Sequence, residues 1–218
     1  MASISEKAQL MPASAIRKLV PFADAAKKQG VKVYHLNLGQ PDIKSPACAL
    51  DAVRNFSQEN VSYSHSAGLM ELRKGLVEKY YKKIGIDLTV DELIVTVAGS
   101  ESVNLALEIA CNPGDEVIVL EPFYTNYNTF AFMNGLTLKA IPTDIRNGFQ
   151  IPPIEEFEKA ITEKTKAILV CNPGNPTGTQ YSKESMLALG EIARRHDLFL
   201  LSDEVYREFC YTDEPHFS

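Results

Sequence analysis

The chain is 218 residues long, 45% hydrophobic and 23% charged, with a formal net charge of −6. That composition suffices for one substantial core, or for one domain plus part of another, and excludes wholesale disorder. The acidic balance argues against a nucleic-acid partner, and no stretch approaches the roughly 20 apolar residues of a membrane span.

Met1 to Lys18 holds no uninterrupted apolar segment of the signal-peptide kind, so a soluble, cytoplasmic protein is expected. The cysteines at positions 48, 111, 171 and 210 fall in no C-x-x-C pair. They read as reduced thiols packed as small hydrophobes, and no Cys/His spacing suits a metal.

Pro12 and Ser14 open a helical stretch to about Gly30, its apolar positions Ile16, Leu19, Val20 and Ala23 recurring at three- and four-residue spacing. His35 to Leu38 reads as a short strand running into the turn Gly39-Gln40-Pro41-Asp42. A second helix covers Leu69 to Ile84. The pattern then becomes regular. Apolar strands at Leu93–Val97, Val117–Leu120, Leu136–Ile141, Ala167–Val170 and Leu198–Leu201 alternate with helices at Glu101–Cys111, Tyr124–Met133, Glu155–Thr162 and from the Ser182 cap to His196. Continuous apolar strands alternating with amphipathic helices predict an α/β fold: a mostly parallel sheet with helices on both faces. The soft boundary lies at Gly39 to Pro46, which divides the chain into 1–46 and 47–218.

In such sheets ligands gather at the carboxyl ends of the strands. Those ends are rich in glycine, polar and aromatic residues. Gly99-Ser100-Glu101-Ser102 suits either a phosphate held by helix N-terminal N–H groups or an ordinary capped turn. Tyr124 suits either stacking on a flat ligand or core packing, and Tyr127 shares its helix face. Asn172-Pro173-Gly174-Asn175-Pro176-Thr177-Gly178 is more specific, since two prolines and two glycines fix an irregular backbone. Asp203 follows an apolar strand and needs a cationic or hydrogen-bonding partner, and Tyr206 lies three residues on. A helix-capping Asp with Tyr206 packed below it is the other reading of that pair.

Taken in order, several motifs resemble the class I/II aminotransferases of fold type I, and most the aspartate aminotransferase group. They are Asn37-Leu38-Gly39-Gln40-Pro41-Asp42, Tyr63 to Gly68 with Glu71-Leu72-Arg73, Asn175-Pro176-Thr177-Gly178 and Ser202-Asp203-Glu204-Val205-Tyr206. The resemblance covers nearly the whole chain. It implies the N-terminal arm and a small-domain segment over 1–46, and an incomplete pyridoxal-phosphate-binding large domain over 47–218. It implies transfer of an amino group between an amino acid and a 2-oxo acid. Asp203 would pair with the pyridine nitrogen, Asn175 and Tyr206 would bond the ring's 3-oxygen, and Tyr124 would stack on the ring. Gly99, Ser100 and Glu101 would meet the phosphate, Tyr63 the phosphate of a partner subunit in a homodimer, and Gly39 would lie near the substrate carboxylate.

The Schiff-base lysine of that family lies beyond the Asp203 strand. None of the 15 residues after Asp203 is lysine, and the last lysine is Lys183. No catalytic residue is therefore assigned within the 218 residues, which are expected to be incomplete, poorly stable and inactive alone. Two other readings share the same pocket residues: a lyase or synthase of the same fold, and a non-catalytic remnant that binds the cofactor.

Overall fold

The computed structural model describes residues 2–11, 17–37, 39 and 41–218. The expected helix start at Pro12, Ser14 and Ile16, and the motif residues Leu38 and Gln40, lie outside the described residues. The chain forms two compact units, one of Met1–Arg17 with Ala98–Ser218, the other of Lys18–Val97.

In chain order the helices α1 (Glu6–Leu10), α2 (Val20–Lys28), α3 (Ala47–Arg54), α4 (Met70–Gly75) and α5 (Gly99–Ala110) precede strand β1 (Glu116–Glu121). Then follow α6 (Asn126–Asn134), β2 (Thr137–Pro142), α7 (Ile154–Ala160), β3 (Thr165–Cys171), α8 (Lys183–Arg195) and β4 (Phe199–Asp203). The expected helix over Leu69 to Ile84 is α4 continued by a wider π turn, Leu76–Tyr80, and a 3₁₀ turn, Tyr81–Ile84. No described helix is long and apolar enough to cross a membrane.

The four strands form one parallel sheet in the order β2-β1-β3-β4. Strand alternation explains why β1 and β3 are continuously apolar over Val117–Leu120 and Ala167–Val170. Ile118, Leu120, Ile168 and Val170 point into one core with Phe157 of α7 and Met186, Leu189 and Ile192 of α8. Val117, Val119, Ala167 and Leu169 point into the other, with Leu107 of α5 and Tyr127 and Ala131 of α6. Both faces are thus covered, as a parallel sheet requires. On α8 the buried positions 186, 189, 192 and 193 form one stripe. Ser182 caps that helix through the Ser185 N–H at 3.2 Å. Lys7 of α1 donates its ammonium to the carbonyl of Met133 at 2.6 Å.

Two expected strands do not form. His35 to Asn37, the described part of the first, is irregular. Leu93–Val97 is not in the sheet either, because its backbone bonds elsewhere: the Arg73 guanidinium donates to the Leu93 carbonyl at 3.1 Å, and Val95 N–H donates to the Ala67 carbonyl at 3.0 Å. Ile94 and Val97 are correspondingly exposed. Arg73 itself is 3% exposed and also donates to the Val90 carbonyl, so this motif residue staples the 90–93 turn to α4. The expectation of uniformly packed thiols fails at Cys48, which is exposed; all four cysteines are free.

Candidate active site

All four segments at the site belong to the unit built on the sheet. The loop after β1, the loop after β3, the end of β4 and the start of α5 meet around one cavity of about 270 Å³. Gly99, Ser100, Tyr124, Asn175, Asp203 and Tyr206 all line it. They do so because parallel strands deliver their carboxyl ends to the same side of the sheet, and the register pairs Cys171 directly with Asp203.

Asp203 is held at both oxygens. The Tyr127 phenol donates to Oδ2 at 2.6 Å, and the Val205 N–H donates to Oδ1 at 3.2 Å. Tyr127 is 1% exposed. Burial pushes its phenol far above the ordinary range, with Cys171 and Asp203 adding to the shift, so it stays neutral and remains a donor. Cys171 lines the cavity floor and donates to the Pro173 carbonyl at 3.2 Å. Burial first, and then the Asp203 charge, pushes its thiol up to about 11, which leaves it un-ionised near neutrality.

Across the cavity the Asn175 amide donates to the Tyr206 hydroxyl at 3.1 Å. The Asn175 loop is closed on itself by Gly174 N–H to the Thr179 carbonyl and Gly178 N–H to the Gly174 carbonyl, both 2.8 Å. A Cβ at Gly174 would meet Thr177 Oγ1 at 2.7 Å, so any larger residue there would have to displace that hydroxyl. The Tyr124 ring stands edge-on to Tyr127 at 5.5 Å, and its hydroxyl accepts from the Asn126 amide at 2.7 Å.

At α5 the N-cap residue is Ala98, whose side chain makes no cap bond to the helix start. A Cβ on Gly99 would project into open space, with nothing within 4 Å. An uncapped start of a three-turn helix beside open space is a ready cradle for an anion. Glu101 follows in the same turn and is exposed, but is not among the lining residues. Gly39 and Tyr63 belong to the other unit, where the Tyr63 side chain is fully exposed and a Cβ on Gly39 would meet nothing within 4 Å. Among the described residues no group of three or more His, Cys, Asp or Glu side chains could hold a metal ion.

Sequence reasoning treated Tyr127 as a helix-face neighbour of Tyr124 and gave Cys171 no place in the site. The signal for Tyr127 was faint: a hydroxyl at a position that otherwise reads as core must find a buried partner.

The family model for aminotransferase class I and II matches residues 31–218. The aspartate/prephenate aminotransferase of Thermus thermophilus is 37% identical over 219 residues, covering 100% of this chain and 56% of its own length. The aspartate aminotransferase of Thermotoga maritima is 33% identical, covering 97% of this chain and 56% of its own. Among solved structures, the Thermus thermophilus aspartate aminotransferase with maleate superposes with a TM-score of 0.90 at 36% identity, covering 100% of this chain and 57% of that one. An alanine aminotransferase from Pyrococcus furiosus gives 0.89 at 34% identity, covering 99% and 55%. The chain thus spans little more than half the length of the relatives it matches. With the family model matched over most of the chain, and the matching structures superposing on the fold that builds the cavity, this chain belongs to the aminotransferase class I and II family.

Proposed function

We propose that the protein transfers an amino group between an amino acid and a 2-oxo acid with pyridoxal 5'-phosphate, and that this chain supplies the greater part of the cofactor pocket. The observation that carries the reading is the meeting, at one cavity, of a doubly held carboxylate, an aromatic ring, an amide–phenol pair and an uncapped helix start. A phosphorylated, planar, nitrogen-containing ring needs these groups. When bound, that cofactor supplies an electron sink for the carbanion left when an amino acid loses its α-proton.

The chain's own residues do the rest. Asp203 would hold a proton at the ring nitrogen. Tyr127 and the Val205 N–H keep the carboxylate turned for that contact, since each engages one oxygen. Asn175 and Tyr206 would offer N–H and O–H to the 3-oxygen of the ring. Tyr124 would cover one ring face. Gly99 and Ser100, with Glu101 in the same turn, would hold the phosphate through backbone N–H groups. Tyr63 reaching the phosphate of a partner subunit, Gly39 near the substrate carboxylate, and the homodimer these roles require belong to the same proposal. So do the cytoplasmic location and the division of the chain at residue 46. Relatives named for aspartate, prephenate and alanine make L-aspartate, L-alanine, their oxo acids and prephenate the first substrates to try.

The test is the half-reaction. The protein from its complete gene, loaded with pyridoxal 5'-phosphate, should convert the cofactor to its amine form with L-aspartate, L-glutamate or L-alanine, seen by absorbance. Asp203→Ala should slow this by about 10²-fold or more. Near-normal conversion by that variant would remove Asp203 from the site.

A further inference from the structure

We propose that Asn172 is a positioning residue that sets Asn175 and Asp203 at a fixed separation, and that the segment 212–218 serves as its anchor. The inference rests on the cofactor reading above and goes beyond it. Asn172 is 0% exposed, yet it contacts no open part of the cavity and does not line it. All of its polar groups are used. Its N–H donates to the Asp203 carbonyl at 2.9 Å, one step beyond the last pair of the β3–β4 ladder. Its Oδ1 accepts from the Tyr181 N–H at 3.0 Å, closing the base of the loop that carries Asn175. Its Nδ2 donates to the Phe217 carbonyl at 3.4 Å, and its own carbonyl bonds His216 Nε2 at 3.0 Å.

Four connections therefore leave one buried residue for three segments: the end of β4, the returning limb of the loop, and the segment 212–218. That last segment is fixed in turn. The Phe217 ring packs against the core under α8, with the Lys183 ammonium 5.2 Å from its centre, and Gln180 donates to the Glu214 carbonyl at 3.0 Å. A side-chain amide is the one group that offers an acceptor and a donor in this short fork without charge. Removing it would leave the buried Tyr181 N–H without its partner. The loop would then be free to shift relative to β4. Asn175 and Asp203, which both line the cavity, would move apart or together, while Gly99 and Ser100 at the start of α5, which none of the bonds from Asn172 reaches, would stay.

That asymmetry separates positioning from mere stabilisation. The experiment uses the protein from its complete gene, freed of cofactor, and titrates two probes: pyridoxamine 5'-phosphate, which needs the ring contacts, and inorganic phosphate, which needs only the helix start. Asn172→Ala should weaken pyridoxamine 5'-phosphate by about tenfold or more while leaving phosphate within about twofold. His216→Ala cuts one tie and leaves the loop's own bonds intact. It should shift the same ratio in the same direction by a smaller factor, and it carries the test if Asn172→Ala does not fold. Equal weakening of both probes, or no change in either, overturns the proposal. A wild-type protein that binds phosphate but not pyridoxamine 5'-phosphate overturns the cofactor reading itself, and this inference with it.

Discussion

Replacing Tyr127 by Phe removes a single oxygen from a position that is 1% exposed. The ring stays, still stacked on Phe123 at 6.3 Å and edge-on to Tyr124, so no cavity opens and the several kcal/mol of a large-to-small core change do not arise. What is lost is a 2.6 Å bond to a carboxylate. Hydrogen bonds to charged groups contribute about 1.5–3 kcal/mol. Asp203 is half-buried, so water replaces part of that, and a net loss of about 1 kcal/mol is expected. For a chain of this size that lowers the melting temperature by roughly 2–4 °C. Asp203 also keeps only the Val205 N–H to orient it, so cofactor affinity should fall by about five- to tenfold, the equivalent of about 1–1.4 kcal/mol. Thermal melts of the cofactor-free protein and titration with pyridoxamine 5'-phosphate read the two effects separately. An affinity unchanged within twofold would refute the claim that Tyr127 acts through Asp203. A loss of stability above about 3 kcal/mol would mean that packing rather than the hydroxyl is at stake.

Alkaline pH should destabilise the fold in a defined window. Burial raises the Cys171 thiol from 9.0 to about 11 and the Tyr181 phenol from 10.0 to about 12. For groups raised by folding, the stability they support is intact below the unfolded values and is lost as pH rises through the folded ones. Urea midpoints should therefore be level to pH 9 and fall between 9 and 12, by up to about 1.4 kcal/mol per pH unit for each group. Cys171→Ala should flatten the first part of that fall. Gly68→Ala should cost more than about 2 kcal/mol, since Gly68 sits at φ +99° and a Cβ there would meet the Val95 Cβ at 2.6 Å; a chemical denaturation curve close to wild type would contradict this. Phe157→Ala, at 0% exposure between α7 and the sheet, should cost about 3–5 kcal/mol in the same assay.

The sheet was legible where its neighbours exist. Val117–Leu120 and Ala167–Val170 are apolar at every position because α5 and α6 cover one side and α7 and α8 the other. Leu93–Val97 has the same composition and forms no strand, because composition states only that a segment can pair, not that a free edge lies beside it. Helices α1 and α3 went unread because their residues are almost wholly exposed and leave no buried stripe to detect. At the site, Asn175, Asp203 and Tyr206 were readable from turn chemistry at the ends of strands, and Gly99 from the glycine at the start of a helix. The Tyr127–Asp203 bond spans 76 residues, and the ties from Asn172 to His216 and Phe217 span 44 and 45. No local pattern encodes a partner at that separation. Only the fold brings them together.

Strand β4 ends the order of the sheet, paired with β3 on one side. Within these 218 residues the carboxylate at the centre of the site is thus carried on a strand paired on one side, and a strand paired on one side opens locally at a lower free energy than one paired on both. A ligand that requires Asp203 in place binds only the closed fraction, so its apparent dissociation constant is the intrinsic one divided by that fraction. Any further segment that pairs with the other side of β4 would then tighten cofactor binding without touching the cofactor. The amide protons of Leu200 to Asp203 would report it, exchanging more slowly as affinity rises.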